Sequence, residues 1–206
     1  TPAVITGKPL TMGGSLGRET ATGMGAYFAI ETLMPKFKLA REDTTVAVQG
    51  FGNVGAVVAD LLCKAGYKVV AVSDSKGGIY AKQGLDIPSI RQFKNSTRDF
   101  RAVYCEGTVC NIVEHEIITN EQLLALDVDI LIPGALENQI TEHNADNVRA
   151  KYVFEVANGP ITPEADRILE KKGIWVFPDI LVNAGGVTVS YFEWVQNRSG
   201  LYWTLD

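Results

Sequence analysis

The chain has 206 residues, of which 46% are hydrophobic and 21% charged, and its formal net charge is −5. This composition is typical of a folded globular protein and argues against nucleic-acid binding, which requires clustered basic residues. No apolar run approaches the ~20 residues that span a bilayer. Three cysteines without CxxC spacing and two histidines far apart in sequence predict neither a disulfide framework nor a metal site, and they favour reduced thiols in a cytoplasmic protein.

The apolar spacing predicts helices and strands that alternate along most of the chain. Within residues 18–38, Tyr27, Ile30 and Leu33 fall at helical spacing, and Pro35 lies near the end of that helix. Predicted strands follow at 45–49, 69–73, 130–132, 153–156 and 175–177. Predicted helices follow at 53–64, 87–94, 120–126, 141–149, 163–172 and 185–197.

The predicted strands are nearly all apolar and are separated by helices. This pattern is typical of a parallel sheet that is covered on both faces. Residues 77–84 contain turn-forming residues and predict a small hairpin inserted into this arrangement. We therefore expect a doubly wound α/β fold in one domain over residues 1–206, whose first ~40 residues are a lead-in loop and helix. The chain has no initiator Met and stops just after a helical pattern, so we expect a piece of a longer protein.

A G-x-G-x-x-G motif connects the first predicted strand to the helix after it. Gly50 permits a tight turn, Gly52 leaves room for a pyrophosphate, and Gly55 lets the helix pack against the strand. The helix that begins near Asn53 directs unpaired N–H groups and its positive dipole end toward the same place. Strand, turn, helix and a second strand within about 30 residues predict a Rossmann-like dinucleotide site; a turn that binds nothing is the alternative.

The second strand ends at Asp74, about 20 residues beyond the glycine turn. A carboxylate there accepts hydrogen bonds from the adenosine ribose and repels a 2′-phosphate, which favours NAD over NADP. Ser73, Ser75 and Lys76 could instead accommodate a phosphate, and Asp74 could serve only the turn.

Six segments, in this order, resemble the glutamate dehydrogenases of the Glu/Leu/Phe/Val dehydrogenase family. They cover nearly the whole chain, and the last is the most specific. The segments are GGSLGRETATGMG (13–25), VAVQGFGNVG (46–55), SDSKGGIY (73–80), IPGALENQIT (132–141), EVANGPIT (155–162) and NAGGVTVSYFEW (183–194).

The resemblance implies the dinucleotide-binding domain of a two-domain enzyme that converts L-glutamate reversibly to 2-oxoglutarate and ammonia with NAD or NADP. In this family the residues equivalent to Thr22 and Asn53 hold the nicotinamide carboxamide, and Arg18 borders that site. An amide side chain suits a carboxamide because it offers both a donor and an acceptor. The predicted cofactor-binding residues are Arg18, Thr22, Gly50, Phe51, Gly52, Asn53, Val54, Gly55, Asp74, Ala135 and Asn158.

The resemblance also implies a substrate-binding set of Asn183, Val187 and Ser190, in which the serine hydroxyl binds the substrate γ-carboxylate. Without the resemblance, Ser190 would be interpreted as a helix serine bonded to its own backbone, and Asn183 as an N-cap.

The catalytic groups of the family lie outside this sequence. Oxidative deamination requires a low-pKa lysine and a carboxylate, which the family carries in its amino-terminal domain, so no catalytic residue is predicted and the chain alone should be inactive. Lys8, Lys36 and Lys64 lie in no comparable glycine-rich segment and are expected on the surface. The parent enzyme is expected to be a homohexamer built through the missing domain, and this chain a monomer.

Two alternative functions are considered. One is a leucine, phenylalanine or valine type of dehydrogenase, because pocket differences on the scale of one methylene are poorly visible in a sequence. The other is a non-catalytic dinucleotide-sensing module, since fold alone does not define function. Asn183 and Ser190 argue against the sensor, which has no use for an amino-acid pocket.

Overall fold

A seven-stranded sheet forms the centre of the structure, a computed structural model that describes residues 2–97, 103–106, 109–112 and 114–205. The strands are β1 (Thr45–Gln49), β2 (Lys68–Asp74), β3 (Gly77–Tyr80), β4 (Val103–Glu106), β5 (Val109–Ile112), β6 (Glu116–Ile118), β7 (Ile130–Pro133), β8 (Tyr152–Phe154) and β9 (Trp175–Phe177). The helices are α1 (Ala21–Leu33), α2 (Asn53–Lys64), α3 (Ile87–Thr97), α4 (Asn120–Leu124), α5 (Pro163–Lys171), α6 (Asp179–Val182) and α7 (Ala184–Ser199).

The order of the strands places a topological switch point beside β1. The sheet runs β6-β3-β2-β1-β7-β8-β9, and β4 and β5 pair separately. Strands β2, β1, β7, β8 and β9 are parallel, whereas β3 and β6 pair antiparallel at one edge. The chain leaves β1 toward β2 on one side and later adds β7 on the other, so the carboxyl ends of β1 and β7 form a crevice. In open α/β sheets this crevice is where ligands bind.

Successive strand residues point to opposite sides of the sheet, so both faces of the sheet are apolar. Helices cover each of these two faces. Val46 and Val48 of β1 belong to the core that packs against α1, α2 and α3, whereas Ala47 belongs to the core under α4 and α5. All three of these side chains are fully buried. The predicted doubly wound, Rossmann-like fold is therefore confirmed, with β3 and β6 added to one edge of the parallel sheet through antiparallel pairing.

Most of the predicted helices and strands lie where the structure has them, but one predicted helix is wrong. The predicted helix at 141–149 is only a 3-10 turn at Ala145–Asn147. The Asn144 side chain accepts from the Thr141 N–H at 2.8 Å and donates to the Gln139 carbonyl at 2.9 Å. These bonds satisfy backbone groups locally and so compete with a helix.

Of the three cysteines expected to be reduced thiols, the structure describes the side chain of one. Cys63 is a free, partly buried thiol, and burial raises its pKa. The side chains of Cys105 and Cys110 lie outside the described part of the structure. None of the described helices combines the length and the apolar character required for a bilayer crossing.

Candidate coenzyme and substrate site

The glycine turn lies at the switch point and is held by backbone contacts. The N–H groups of Gly50 and Phe51 both donate to the Ser73 carbonyl, at 3.0 and 2.6 Å. Gly50 has a φ of +93°, and a Cβ there would stand 2.7 Å from the backbone nitrogen of Ala135. A Cβ at Gly55 would overlap the carbonyl oxygen of Gly50. Packing against the protein itself therefore requires glycine at positions 50 and 55.

Gly52 differs from these two because nothing in the protein requires a glycine there. A Cβ built at Gly52 meets no atom within 4 Å, and the backbone angles of φ −93° and ψ −159° are open to other residues. The residue is exposed and precedes Asn53, the first residue of α2. The first N–H groups of a helix have no partner inside it and attract anions. A side chain at position 52 would therefore project into the open space before the first N–H groups of α2.

A cleft of about 480 Å³ extends from the glycine turn toward α3. It is lined by Phe51, Gly52, Asn53, Ala56, Arg91, Lys94 and Asn95. Two of these seven residues are cationic, but Arg91 Nη1 lies 3.6 Å from Asp60 Oδ2 and Lys94 Nζ lies 2.8 Å from Asp74 Oδ2, so each positive charge is offset by a carboxylate.

Asp74 lies beside this cleft with both carboxylate oxygens engaged. Its Oδ2 is 2.8 Å from Lys94 Nζ, and its Oδ1 accepts from the Lys76 N–H at 2.9 Å. Burial opposes ionisation, but the bonds from Lys94 and Lys76 outweigh it and hold the pKa of Asp74 below its ordinary value of 3.8. Lys94 Nζ also donates to the Phe51 carbonyl at 3.1 Å, so this lysine connects the end of β2 to the glycine turn.

The structure also decides which neighbours of Asp74 could meet a phosphate. The Ser73 side chain is fully buried, and its hydroxyl donates to Asn120 Oδ1 at 2.7 Å. Asn120 in turn donates to the Asp74 carbonyl at 2.9 Å. Ser73 therefore supports the strand end and does not face a ligand, whereas Ser75 and Lys76 are exposed.

A second, larger cleft of about 650 Å³ opens on the other side of the turn, between the ends of β7 and β8 and the helices α1 and α7. Most of the predicted nicotinamide and substrate residues line it. They are Arg18, Thr22, Val54, Ala135, Asn158, Asn183, Val187 and Ser190. Asn53, which was predicted to act with Thr22, lines the first cleft instead. Asn53 thus lies at the boundary, because its neighbour Val54 faces the second cleft.

Close glycine packing brings α1 and α7 together at this cleft. A Cβ at Gly25 would lie 2.9 Å from the Cα of Gly185, and a Cβ at Gly186 would overlap the Thr22 hydroxyl. Arg18, which lies just before α1, donates from Nε to Ser190 Oγ of α7 at 2.7 Å. The serine oxygen is therefore an acceptor here, and its own hydrogen remains available to a further acceptor in the cleft.

Asn158 and Asn183 form an amide pair in the same cleft. Asn183 Nδ2 donates to Asn158 Oδ1 at 2.8 Å, and no side-chain cap bond from Asn183 to α7 is described. The pair joins the loop after β8 to the start of α7. Asn183 therefore occupies the N-cap position of α7, as the alternative interpretation expects, but its side chain bonds to Asn158 and not to the helix.

Two residues of the lead-in segment belong to this region although sequence reasoning did not identify them. Thr6 lines the second cleft. Lys8 is not a surface residue as predicted: its side chain is 12% exposed, and its Nζ lies 2.8 Å from Oε1 of the fully buried Glu193. No local pattern signals this pair, because its members are 185 positions apart.

Among the described residues, no cluster of three or more His, Cys, Asp or Glu could hold a metal ion.

A doubly wound sheet with a glycine turn and two clefts at its switch point defines a Rossmann-like domain. Residues 13–206 match the Glutamate/Leucine/Phenylalanine/Valine dehydrogenase family. The chain belongs to this family.

Three relatives describe the similarity. The NADP-specific glutamate dehydrogenase of Synechocystis is 65% identical over 98% of this chain and 47% of the relative. The catabolic NAD-specific glutamate dehydrogenase of Bacillus subtilis is 48% identical over 100% of this chain and 46% of the relative. The Leu-bound hetero-hexameric glutamate dehydrogenase of Thermus thermophilus superposes with a TM-score of 0.84 at 36% identity, over 99% of this chain and 46% of that one. The chain thus spans about half the length of these proteins.

Proposed function

We propose that residues 1–206 are the coenzyme-binding domain of a glutamate dehydrogenase. The full-length protein would catalyse the reversible oxidative deamination of L-glutamate to 2-oxoglutarate and ammonia with NAD or NADP. The observation that carries this proposal is the placement of Thr22, Asn158, Asn183 and Ser190 on one cleft beside the glycine turn. The names of the relatives support the same activity. The catalytic lysine and carboxylate would lie in the other half of the protein, so this chain alone is expected to be inactive.

In this proposal the two clefts divide the ligands between them. The backbone at Gly52 and the first N–H groups of α2 bind the diphosphate, and the cleft toward Lys94 receives the adenosine end. Thr22 and the amide pair Asn158–Asn183 orient the nicotinamide and its ribose in the second cleft. The bound coenzyme supplies the hydride acceptor, while these side chains fix the geometry in which the substrate Cα meets it.

Ser190 and Arg18 favour a substrate with a second carboxylate. Because Ser190 Oγ accepts from Arg18 Nε, the hydroxyl can donate its hydrogen to a carboxylate oxygen, and the guanidinium adds positive charge nearby. The shorter apolar side chains of leucine or valine would leave these polar groups unpaired, which costs free energy in a site closed to water. Ser190 and Arg18 therefore favour glutamate over leucine, phenylalanine and valine.

Ser190→Ala in the full-length protein should raise the KM for glutamate about tenfold, the loss expected when one hydrogen bond to a charged group is removed. The KM for the coenzyme should change by less than about twofold, because the coenzyme contacts lie elsewhere. Steady-state kinetics with each substrate varied in turn checks this. Thr188→Ala, an exposed position on the same helix, is the control. Normal glutamate kinetics in Ser190→Ala would remove this serine from the site.

The preference for NAD, which the sequence predicts from Asp74, is proposed here in a weaker form. A lone carboxylate at this position would repel a 2′-phosphate, but Asp74 is paired with Lys94. The ammonium offsets that repulsion and can itself contact a phosphate. We therefore expect this site to accept both coenzymes, with a modest preference set by the balance of these two charges.

Replacing Asp74 and replacing Lys94 should change the preference between NAD and NADP in opposite directions. Asp74→Ala should shift the ratio of the Kd values about tenfold toward NADP, and Lys94→Ala about tenfold toward NAD, since each removes one charged partner of the ribose edge. Calorimetric titration of each variant with NAD and with NADP gives the ratios. Arg41→Ala, which removes an exposed arginine that lines neither cleft, is the control. A shift of the same sign in both variants would contradict the assignment.

The oligomeric state and the cellular location of the full-length protein are also proposed. The Thermus thermophilus relative is described as a hetero-hexamer. We propose a homohexameric parent in the cytoplasm, with subunit contacts made largely by the half of the protein outside this chain, and we expect the isolated chain to be monomeric.

A further inference from the structure

We propose that Glu193 is a positioning residue for the substrate compartment, acting through the lead-in segment at residues 5–8. This inference rests on the proposed glutamate dehydrogenase function. Glu193 would hold that segment against α7, and so keep Thr6 in the cleft that also contains Ser190.

Glu193 holds the lead-in segment through its bonds to Gly7 and Lys8, and we call this set of three residues the clamp. The Glu193 side chain is fully buried, and its two carboxylate oxygens accept from three donors of the lead-in segment. Oε2 accepts from the Gly7 N–H at 2.8 Å, and Oε1 accepts from the Lys8 N–H at 3.2 Å and from Lys8 Nζ at 2.8 Å. Lys8 Nζ also donates to the Ile5 carbonyl at 2.7 Å. The same ion pair therefore shapes the segment and attaches it to α7.

The segment depends on these contacts because it has no regular structure of its own. Residues 5–9 belong to neither a helix nor a strand, so no backbone ladder fixes their position. A second α7 residue, Asn197, reaches the carbonyls of Ala3 and Ile5, at 3.4 Å each. The described side-chain bonds to residues 3–8 from elsewhere in the chain thus come from α7.

The clamp is connected to the cleft at both ends. Thr6 lines the cleft and directly precedes Gly7, the first residue that Glu193 holds. Ser190 lines the same cleft and lies three positions before Glu193 on α7, so the two side chains project from the same side of the helix. Loss of these bonds to Glu193 would therefore let Thr6 move away from the cleft that Ser190 also lines, without changing the glycine turn or the cleft beside Lys94.

An ion pair in this place is better suited to setting a position than to adding stability. Removing a carboxylate from water is unfavourable, and apolar residues of similar volume often fill such a place with no loss of stability. Burial disfavours the charged form, but Lys8 and the two N–H donors outweigh it and lower the pKa of Glu193 below its ordinary value of 4.5. Glu193 is therefore ionised at neutral pH, and the directional bonds that it accepts define one arrangement of the segment.

The test compares Glu193→Gln with the unchanged full-length protein, using glutamate and norvaline, a five-carbon amino acid without the γ-carboxylate. A glutamine replaces one of the two acceptor oxygens with an NH2 group, which can only donate, so it cannot accept from donors on both sides as Glu193 does. We expect the ratio of kcat/KM for glutamate over norvaline to fall about tenfold, with the KM for the coenzyme changed by less than about twofold. Glu164→Gln, an exposed carboxylate on α5, is the matched control and should leave the ratio unchanged.

A merely structural role predicts a different result. In that case Glu193→Gln would lower the thermal unfolding temperature and reduce kcat/KM for both amino acids equally, and an unchanged ratio would overturn the proposal. Should Glu193→Gln fail to fold, the same ratio measured for Lys8→Gln decides, since that variant leaves the carboxylate with its two backbone donors. An unchanged full-length protein that fails to oxidise glutamate would overturn the proposed function itself, which separates the two failures.

Discussion

Gly52→Val should weaken coenzyme binding by this chain at least about 100-fold, a loss of roughly 2.7 kcal/mol, while the fold is retained. The valine would project into the space before α2, where the diphosphate approaches the helix N–H groups. The protein itself has no atom within 4 Å of the new Cβ, and the backbone conformation is one that other residues adopt. The expected loss is therefore specific to the ligand.

Calorimetric titration with NAD and NADP measures this effect, and circular dichroism reports the unfolding temperature. Glu164→Val places the same side chain at an exposed position in the first turn of α5 and should bind normally. Gly52→Ala should be intermediate, because a single methyl fills less of the space. Unchanged affinity in Gly52→Val would mean that the coenzyme does not pass this corner.

Gly185→Ala should destabilise the chain by about 2 kcal/mol, the usual cost of overpacking a close contact. A Cβ at Gly185 would overlap the carbonyl oxygen of Ala21 and lie 3.0 Å from the Cα of Gly25, so α1 and α7 would have to separate. Helix propensity predicts the opposite sign, because alanine is favoured over glycine by up to about 1 kcal/mol in a helix. Backbone atoms cannot move aside as a flexible side chain can, so the overlap should prevail.

The unfolding temperature of Gly185→Ala should fall by roughly 4–8 °C for a chain of this length. Thr188→Ala, at an exposed position on the same helix, should change the free energy of unfolding by less than about 0.5 kcal/mol. An increase in stability of Gly185→Ala would show that α1 and α7 can separate at little cost, and would remove the close packing as the reason why Thr22 and Gly186 adjoin.

The elements around the glycine turn could be predicted from sequence because their signals are local. The apolar run at β1 and the turn before α2 give the bounds Thr45–Gln49 and Asn53–Lys64, as observed. The edge strand Glu116–Ile118 was missed, since it exists only through its pairing with Gly77–Tyr80. Short edge strands of this kind depend on tertiary contacts more than on their own composition.

The candidate site could be predicted to a similar degree and for a similar reason. The motif residues of the second cleft follow from their family resemblance, and the fold brings most of them together. The ion pairs that shape the site could not be predicted, because Lys8 meets Glu193 and Lys94 meets Asp74 only after folding. Asp74 shows the consequence: its sequence position predicts NAD, whereas its pairing with Lys94 led us to propose a weaker preference.

The most direct test of the central claim is an NMR titration of the uniformly labelled chain with NAD and NADP, following each backbone amide. We expect saturable shifts that are largest at Gly52, Asn53 and Val54, where the diphosphate would meet the start of α2. Amides at the opposite ends of β8 and β9 should stay unchanged. Saturable shifts centred on those distant strand ends, with the glycine turn unaffected, would contradict it.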